Sequence, residues 1–262
     1  MTRPAPIPFL PQAALLSFVV AAGAPPPRLA AQEPTPPSVA DISRRLDTMW
    51  TSDSSIARIE LHVVRSSGER SLRMRAWTHG TNRALVVVES PERERGTATL
   101  RRDRNLWTYL PRVARTMRVP PSMMLASWMG SDFTNDDLTQ SASYREDFDG
   151  SIAGRSDSPA GWLFRYEARD GVVGLWRRVD FVISDDGLLP IEARYFDRRM
   201  RLSRTMRFDD VRRVDGRTIP TRLSLQPVDR PDEHTELRYL DIDFDANVPD
   251  STFSLTELER GR

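Results

Sequence analysis

Few residues in this sequence of 262 have the types and spacing that catalysis or metal binding requires. The three histidines, His62, His79 and His234, are far apart and match no zinc-ligand spacing. The paired acidic residues lack the spacing of a calcium-binding loop and fit turns and helix caps better. These pairs are Asp136/Asp137, Asp185/Asp186 and Asp209/Asp210. The sequence therefore predicts no metal site.

Two missing residue types exclude several classes of enzyme. Lysine is absent, so a Walker-type phosphate loop, a Schiff-base enzyme and a serine–lysine dyad are excluded. Cysteine is absent too, which excludes disulfides and a lipid attached to cysteine. Neither a G-x-S-x-G elbow nor a G-x-G-x-x-G loop is present. We therefore predict a protein without catalytic residues or cofactors, and an enzyme built from distant carboxylates is the remaining catalytic alternative.

The segment 106–133 is rich in aromatic and methionine side chains. Methionine is flexible and polarizable, so it suits surfaces that accept apolar partners of varying shape. Composition leaves two interpretations open: these residues form an ordinary core, or they contact lipid in a cavity beneath a lid. The candidate cavity or lid residues are Trp107, Tyr109, Met117, Met123, Met124, Trp128 and Met129.

Alternating apolar and polar residues predict that most of the chain forms antiparallel strands with one buried face. The segment 57–63 is typical of this pattern, and Asp185-Asp186-Gly187 and Val214-Asp215-Gly216 are good hairpin turns. We expect about ten or eleven strands in one domain. A sheet of so many consecutive strands must curve or close, because the edges of a long flat sheet expose unpaired backbone groups that promote aggregation.

An N-terminal helix precedes the strands. Ser38 or Asp41 can cap a helix that continues through Trp50 and has one apolar side. The predicted fold class is therefore mainly β with helices (α+β), in which a curved antiparallel sheet buries the apolar helix faces on its concave side.

A helical insertion is predicted in the middle of the chain. The segment 123–129 is expected to form a helix that ends at Gly130, and a second short helix is expected to begin at Thr134. We predict that this insertion is a lid hinged at Gly130 and at Pro120-Pro121, since both positions have unusual backbone preferences.

The predicted sheet also supplies candidates for the lining of a cavity. Leu72 and Met74 alternate with arginines in one strand, and Leu85 and Val87 lie in the next. An error of one residue in the assumed phase would place each of them on the opposite face.

The first residues have the pattern of a secretory signal peptide. A positive start is followed by an apolar run and then by small residues, which predicts a signal peptide over 1–31, with cleavage after Ala31 or, alternatively, after Ala24. A Pro-rich linker over 32–37 and a single domain over 38–262 follow. We therefore expect an exported, soluble protein, and an uncleaved membrane anchor is the alternative.

The charges are mixed in sign, with a net charge of +1. This pattern argues against a nucleic-acid partner. One arginine cluster is denser than its surroundings, and it fits either an exposed strand face or a surface for anionic headgroups. Its members are Arg93, Arg95, Arg101, Arg102 and Arg104.

Several segments resemble the outer membrane lipoprotein-sorting protein family, whose members are relatives of the periplasmic lipoprotein carrier LolA. The segment 127–138, S-W-M-G-S-D-F-T-N-D-D-L, is the most specific of them. The others are 95–100, 106–111, 115–118, 188–190 with Tyr195, and 216–220. The resemblance extends over essentially the whole chain after the signal peptide.

This resemblance implies an incomplete antiparallel barrel with helices over its hydrophobic concave face. It also implies a monomeric carrier in the periplasm that binds lipid or lipoprotein acyl chains and works with an inner-membrane transporter or an outer-membrane acceptor. The M-G-S-D-F signature differs from LolA itself and puts the cargo in doubt. The alternative is an envelope module that senses lipid or binds protein beside a membrane transporter, without transport.

Overall fold

The computed structural model of the protein describes residues 35–139, 143–172 and 176–261. The predicted signal peptide over 1–31, its cleavage sites and residues 32–34 of the linker lie outside the described residues. Within the described part of the chain, none of the helices has the length and apolarity needed to cross a membrane.

One antiparallel sheet of 13 strands dominates the fold. The strands are β1 (Ser54–Arg65), β2 (Gly68–His79), β3 (Arg83–Ser90), β4 (Ala98–Arg102), β5 (Asn105–Leu110), β6 (Arg115–Arg118), β7 (Phe148–Asp157), β8 (Ala160–Ala168), β9 (Arg178–Ile183), β10 (Pro190–Phe196), β11 (Leu202–Val214), β12 (Arg217–Pro227) and β13 (His234–Asp243). The helices are α1 (Val39–Thr48), α2 (Asn135–Thr139) and α3 (Leu255–Arg260), and short 3-10 helices occur at Pro111–Val113, Pro121–Met123 and Asp250–Phe253.

The strand order explains how the chain crosses the sheet. The order is β6-β5-β4-β3-β2-β1-β13-β12-β11-β10-β9-β8-β7, so the sheet is open and β6 and β7 are its two edges. Consecutive strands pair within β1–β6 and within β7–β13, and the pairing of β1 with β13 joins these two distant parts of the chain. The connection from β6 to β7 must therefore pass from one edge of the sheet to the other.

We call the side of the sheet on which α1 packs the inner face, and the opposite side the outer face. Its apolar side chains form one buried cluster with α1, and strands as distant as β2 and β8 contribute Leu72 and Phe164 to it. Because side chains from both halves of the sheet meet in one cluster, the sheet curves around it. The predicted curved, mainly antiparallel architecture is confirmed, with 13 strands rather than ten or eleven.

The first helix forms as the sequence predicts. Ser38 caps it, because the Ser38 Oγ atom accepts a hydrogen bond from the Asp41 amide at 3.1 Å. Ile42, Leu46 and Met49 are buried beneath it. Gly150 in β7 permits the close approach, since a Cβ atom there would lie 2.6 Å from the Val39 Cγ1 atom.

The outer face has two parts. Over β3 to β5 it is apolar and is covered by the C-terminal segment, whose Ala246, Val248, Phe253 and Leu258 are buried. Across the other strands, arginines alternate with acidic residues in ion pairs between neighbouring strands, such as Arg165–Asp180 at 3.2 Å and Arg73–Glu60 at 3.2 Å. Charge interspersion in the sequence thus becomes ion pairing on the outer face, where exposed pairs such as Arg73–Glu60 add little stability, whereas Asp180 is itself buried.

The prediction of an α-helix over 123–129 is wrong. A 3-10 helix at Pro121–Met123 is followed by turns through Gly130, with an isolated bridge between Ser127 and Thr134. Met129 adopts a φ of 49°, which no α-helix allows. The short helix expected at Thr134 is present as α2, and the Thr134 Oγ1 atom accepts from the Asp137 amide at 3.1 Å.

Candidate functional site

Two segments cover the apolar inner face. One is α1, and the other is the part of the β6–β7 connection formed by residues 120–139, which we call the covering loop. Trp128 and Phe133 of this loop are buried in the same cluster as the inner-face strands, at 4% and 6% exposure. The indole nitrogen of Trp128 donates to the Thr99 Oγ1 atom of β4 at 3.2 Å.

Asp132 anchors the covering loop to the centre of the sheet. Its carboxylate, of which 1% is exposed, lies 3.0 Å from Arg65 Nη1 and 3.1 Å from Arg230 Nη2. Thr235 donates its hydroxyl to this carboxylate at 2.7 Å and accepts from the Asp132 amide at 3.0 Å. A buried carboxylate is stable only when it is paired and hydrogen-bonded, and both conditions are met.

A second anchor joins the loop to β11. Arg204 donates two hydrogen bonds to the Asp137 carboxylate, at 2.6 and 2.8 Å, and one to the Asp132 carbonyl oxygen at 3.1 Å. Its guanidinium also lies over the rings of Trp176 and Tyr195, at 4.4 and 4.6 Å from their centroids. The G-S-D-F-T-N-D-D signature therefore supplies the ionic anchors of the loop.

The cluster around Arg204 is aromatic. Burial lowers the pKa of Arg204, but the charge and the hydrogen bonds of Asp137, with smaller effects of Tyr195 and Tyr144, together outweigh burial and raise the pKa. Burial also raises the pKa of Tyr195 to about 12 and that of Tyr144 well above its usual value. Tyr144 makes edge contacts with Tyr166 and Phe181, each with ring centroids 5.1 Å apart.

Three tyrosines with raised pKa values should make the protein less stable at alkaline pH. Burial raises the pKa of Tyr166, Tyr195 and Tyr239 from 10.0 to about 12. Because the folded-state pKa is the higher one, stability is complete below pH 10 and falls as the pH rises towards 12. Urea unfolding at a series of pH values would measure this loss.

The variant Tyr239→Phe tests whether this alkaline loss of stability comes from the buried tyrosines. Burial is the sole cause of its raised pKa, so removing the phenol should reduce the slope of stability against pH above pH 10. The comparison with the parent is needed because burial lowers the pKa of Arg101 to about 10, which contributes with the opposite sign. Equal slopes in parent and variant would contradict the assignment.

The predicted residues of the covering loop lie in different environments. Trp128 is buried, whereas Met124 and Met129 are half-buried. Met123 and its neighbour Leu125 are 53% and 48% exposed, so the first part of the loop presents apolar side chains to solvent. Met117, in edge strand β6, is also exposed.

The predicted lining residues do not share a face, which corrects the assumed phase of β3. Leu72 and Met74 lie on the inner face, but Leu85 and Val87 lie on the outer face beneath the C-terminal segment. Met74 pairs with Val88, after a register shift in β2. Because 85–88 is apolar at every position, its pattern gave no information on which side faces inward.

Trp107 and Tyr109 also belong to the outer face. They pack against the same buried cluster as Leu85 and Val87, through pairing of β5 with β4. Of the eleven predicted contacts, the inner-face cluster therefore takes up Leu72, Met74, Trp128 and Met129. Lipid contact by any of these residues stays a prediction.

Sequence patterns did not single out Arg65, Arg204 or Arg230 as partners of the loop. An arginine in a strand has the same local pattern whether it faces solvent or a buried carboxylate. The unusual signal was Asp132, which is the single charged residue between Val119 and Asn135.

Among the described residues, no group of three or more histidine, cysteine or acidic side chains could hold a metal ion. A depression of about 320 Å³ lies at the β7–β8 end of the sheet and is lined by charged residues such as Asp149, Glu167 and Arg177. Its lining does not suit an acyl chain. The apolar surface that could bind one is the inner face, where α1 and the covering loop now pack.

Three solved structures share the fold. A DUF1329 family protein from Desulfovibrio piger has a TM-score of 0.75 at 22% identity, over 83% of this chain and 96% of that one. An outer membrane lipoprotein-sorting protein domain from Vibrio parahaemolyticus has a TM-score of 0.73 at 19% identity, over 85% and 97%. A LolA superfamily protein from Nitrosomonas europaea has a TM-score of 0.71 at 20% identity, over 85% and 100%.

These structures confirm the predicted resemblance at the level of the fold. No curated protein matches the chain in sequence. A family model described as "Uncharacterized protein" matches residues 80–260. Since this match spans more than half of the chain, the chain belongs to that family, and it shares its fold with the LolA superfamily protein from Nitrosomonas europaea.

Proposed function

We propose that this protein is a periplasmic carrier that binds the acyl chains of lipids or lipoproteins on its inner face and moves them towards the outer membrane. The observation that carries the proposal is a continuous apolar surface, contributed by both halves of a curved open sheet and covered by a short helix, α1. The fold of the lipoprotein-sorting domain and of the LolA superfamily protein supports it.

The energetics permit an acyl chain to replace α1. The helix buries Ile42, Leu46 and Met49, which contribute roughly 1.5–3 kcal/mol each. An acyl chain of about 14 methylenes gains roughly 11 kcal/mol on complete burial, at about 0.8 kcal/mol per methylene. Cargo can therefore compensate for the displaced helix without any chemical step.

We infer that α1, rather than the anchored part of the covering loop, is the cover that moves. The loop is fastened by Asp132 and Asp137 immediately after the predicted hinge at Gly130. By contrast, within the described residues α1 has no ion pair to another element. It is held by apolar contacts, by Ser43 Oγ with Tyr166 Oη at 3.1 Å, and by the Asp47 carboxylate, which accepts from the Ser143 hydroxyl at 2.7 Å and the Tyr144 amide at 2.8 Å. The hinge roles of Gly130 and Pro120-Pro121 stay predictions.

Native mass spectrometry tests the carrier function directly. The protein would be purified from a bacterial periplasm without detergent, and any bound species would be extracted into organic solvent. A stoichiometric phospholipid or acylated peptide is the expected result. An empty protein that also takes up no fluorescent acyl probe would overturn the proposal.

A disulfide lock tests the movement of α1. A Cβ atom at Gly150 would lie 2.6 Å from Val39 Cγ1, so Val39→Cys with Gly150→Cys places two thiols within reach of each other. The new Cβ atom would also lie 2.9 Å from Tyr166 Cε1, so the ring must shift, and circular dichroism would establish that the variants are folded. The chain has no other cysteine, so pairing would be unambiguous. We expect the oxidised form to exclude the acyl probe and the reduced form to bind it, with each single variant as a control. Equal uptake by both forms would contradict the moving helix.

The second candidate function is a lipid-sensing or protein-binding envelope module that works beside a membrane transporter and does not transport lipid. The observation that favours it is the complete packing of the inner face by the protein's own side chains, such as Phe164 and Phe181. Capture of a membrane protein by a lipid-free form of the chain would support this alternative.

A further inference from the structure

Unpaired positive charge is concentrated at one edge of the sheet. Between Gly96 and Ser131 the sequence contains six arginines and a single acidic residue, Asp103. Five of the six arginines are exposed, and none of these five has an ion-pair partner among the residues that the structure describes. We call these five the edge arginines; they are Arg102, Arg104, Arg112, Arg115 and Arg118.

The charges of the edge arginines are not neutralised by their neighbours. Arg118 donates to the side-chain amide oxygen of Asn105, which carries no charge. Two acidic groups of this region have neutral hydrogen-bond partners: Asp103 accepts from Asn82, and Glu259 accepts from the Thr116 hydroxyl at 2.8 Å. This edge therefore differs from the outer face of the other strands, where many arginines pair with carboxylates, such as Arg165 with Asp180.

Exposed apolar side chains accompany the edge arginines. Val113 and Met117, on the β5–β6 connection and on β6, are 64% and 38% exposed. Met123 and Leu125, in the first part of the covering loop, are 53% and 48% exposed. Large apolar side chains flanked by arginine match the boundary between the headgroups and acyl chains of an anionic bilayer.

We propose that this edge, formed by the β4–β5 turn, β6 and the first part of the covering loop, docks the protein on an anionic phospholipid membrane. The arginines contact the headgroups, and Val113, Met117, Met123 and Leu125 enter the interface. This function is separate from acyl binding on the inner face. Docking on the membrane would serve a lipid carrier and a lipid sensor equally.

A protein partner that adds a strand to this edge fits the geometry less well. Strand β6 is the edge, but it comprises only Arg115–Arg118, so it offers a short template for strand addition. Such a partner would also leave the arginines of the β4–β5 turn unused. A charged lipid surface engages the whole edge at once.

Vesicle co-sedimentation of the full chain tests the proposal. Vesicles of mixed phosphatidylglycerol and phosphatidylcholine are compared with vesicles of phosphatidylcholine alone. A basic residue near an anionic surface strengthens binding by roughly fivefold. We therefore expect the triple variant Arg112→Gln, Arg115→Gln, Arg118→Gln to bind the anionic vesicles roughly a hundredfold more weakly than the parent.

The matched control is Arg145→Gln, Arg199→Gln, Arg213→Gln. These arginines are exposed and lack ion pairs within the described ranges, and they lie elsewhere in the fold, so the loss of charge is the same. The control should bind nearly as well as the parent, and added salt should weaken binding of both. Equal weakening of both triple variants, equal binding to both kinds of vesicle, or no binding by the parent would overturn the proposal. Circular dichroism of each variant would establish that it is folded.

Discussion

Arg204→Ala is expected to lower the free energy of unfolding by about 3–5 kcal/mol. The side chain is 5% exposed and makes both hydrogen bonds to the Asp137 carboxylate. Its removal would leave that carboxylate without its cation and would remove the guanidinium that lies over the rings of Trp176 and Tyr195. Chemical denaturation of parent and variant would measure the difference.

Arg207→Ala on the same strand is the control for this experiment. Its side chain is 72% exposed and its ion pair with Glu192 is 3.7 Å long, so its loss should change the free energy of unfolding by less than about 1 kcal/mol. Equal effects of the two substitutions would mean that the covering loop is not anchored through Arg204.

Trp128→Ala should lower the free energy of unfolding by about 3–5 kcal/mol, as truncation of a buried tryptophan does. Trp128 is 4% exposed within the inner-face cluster, and its indole donates to Thr99. The substitution would leave a cavity under the covering loop. Chemical or thermal unfolding of parent and variant would measure this loss in the free energy of unfolding.

Met123→Ala lies in the same loop and provides the comparison. Its side chain is 53% exposed, so we expect a change within about 0.5 kcal/mol. A small effect of Trp128→Ala would instead indicate that Trp128 is a loosely held lid residue, the interpretation that composition alone left open. The pair of variants thus separates core from lid.

The strands could be predicted because their signals are local. Alternation over 57–63 and the turn Val214-Asp215-Gly216 specify elements from adjacent residues alone, and the structure places Asp215 and Gly216 at positive φ in that hairpin. The cap of α1 by Ser38 is equally local.

The predictions that were wrong concern features that depend on residues distant in the sequence. The inward side of β3 is set by its pairing with β2 and not by its own apolar run. The composition of the covering loop suits a helix, but the bridge between Ser127 and Thr134 holds the loop in turns. Contacts with arginines of β1 and β11 and a hydrogen bond to β13 hold it there as well. Helix propensity is a weak preference that such tertiary contacts override.

The strand order also determines how the chain can fold. The segments β1–β6 and β7–β13 are two meanders whose pairings form by closing short loops. Only the junction of β1 with β13 must bring together residues as distant as Ile56 and Asp243. The entropy of loop closure is therefore concentrated in one late step. Folding kinetics should respond most strongly to the strength of this single junction.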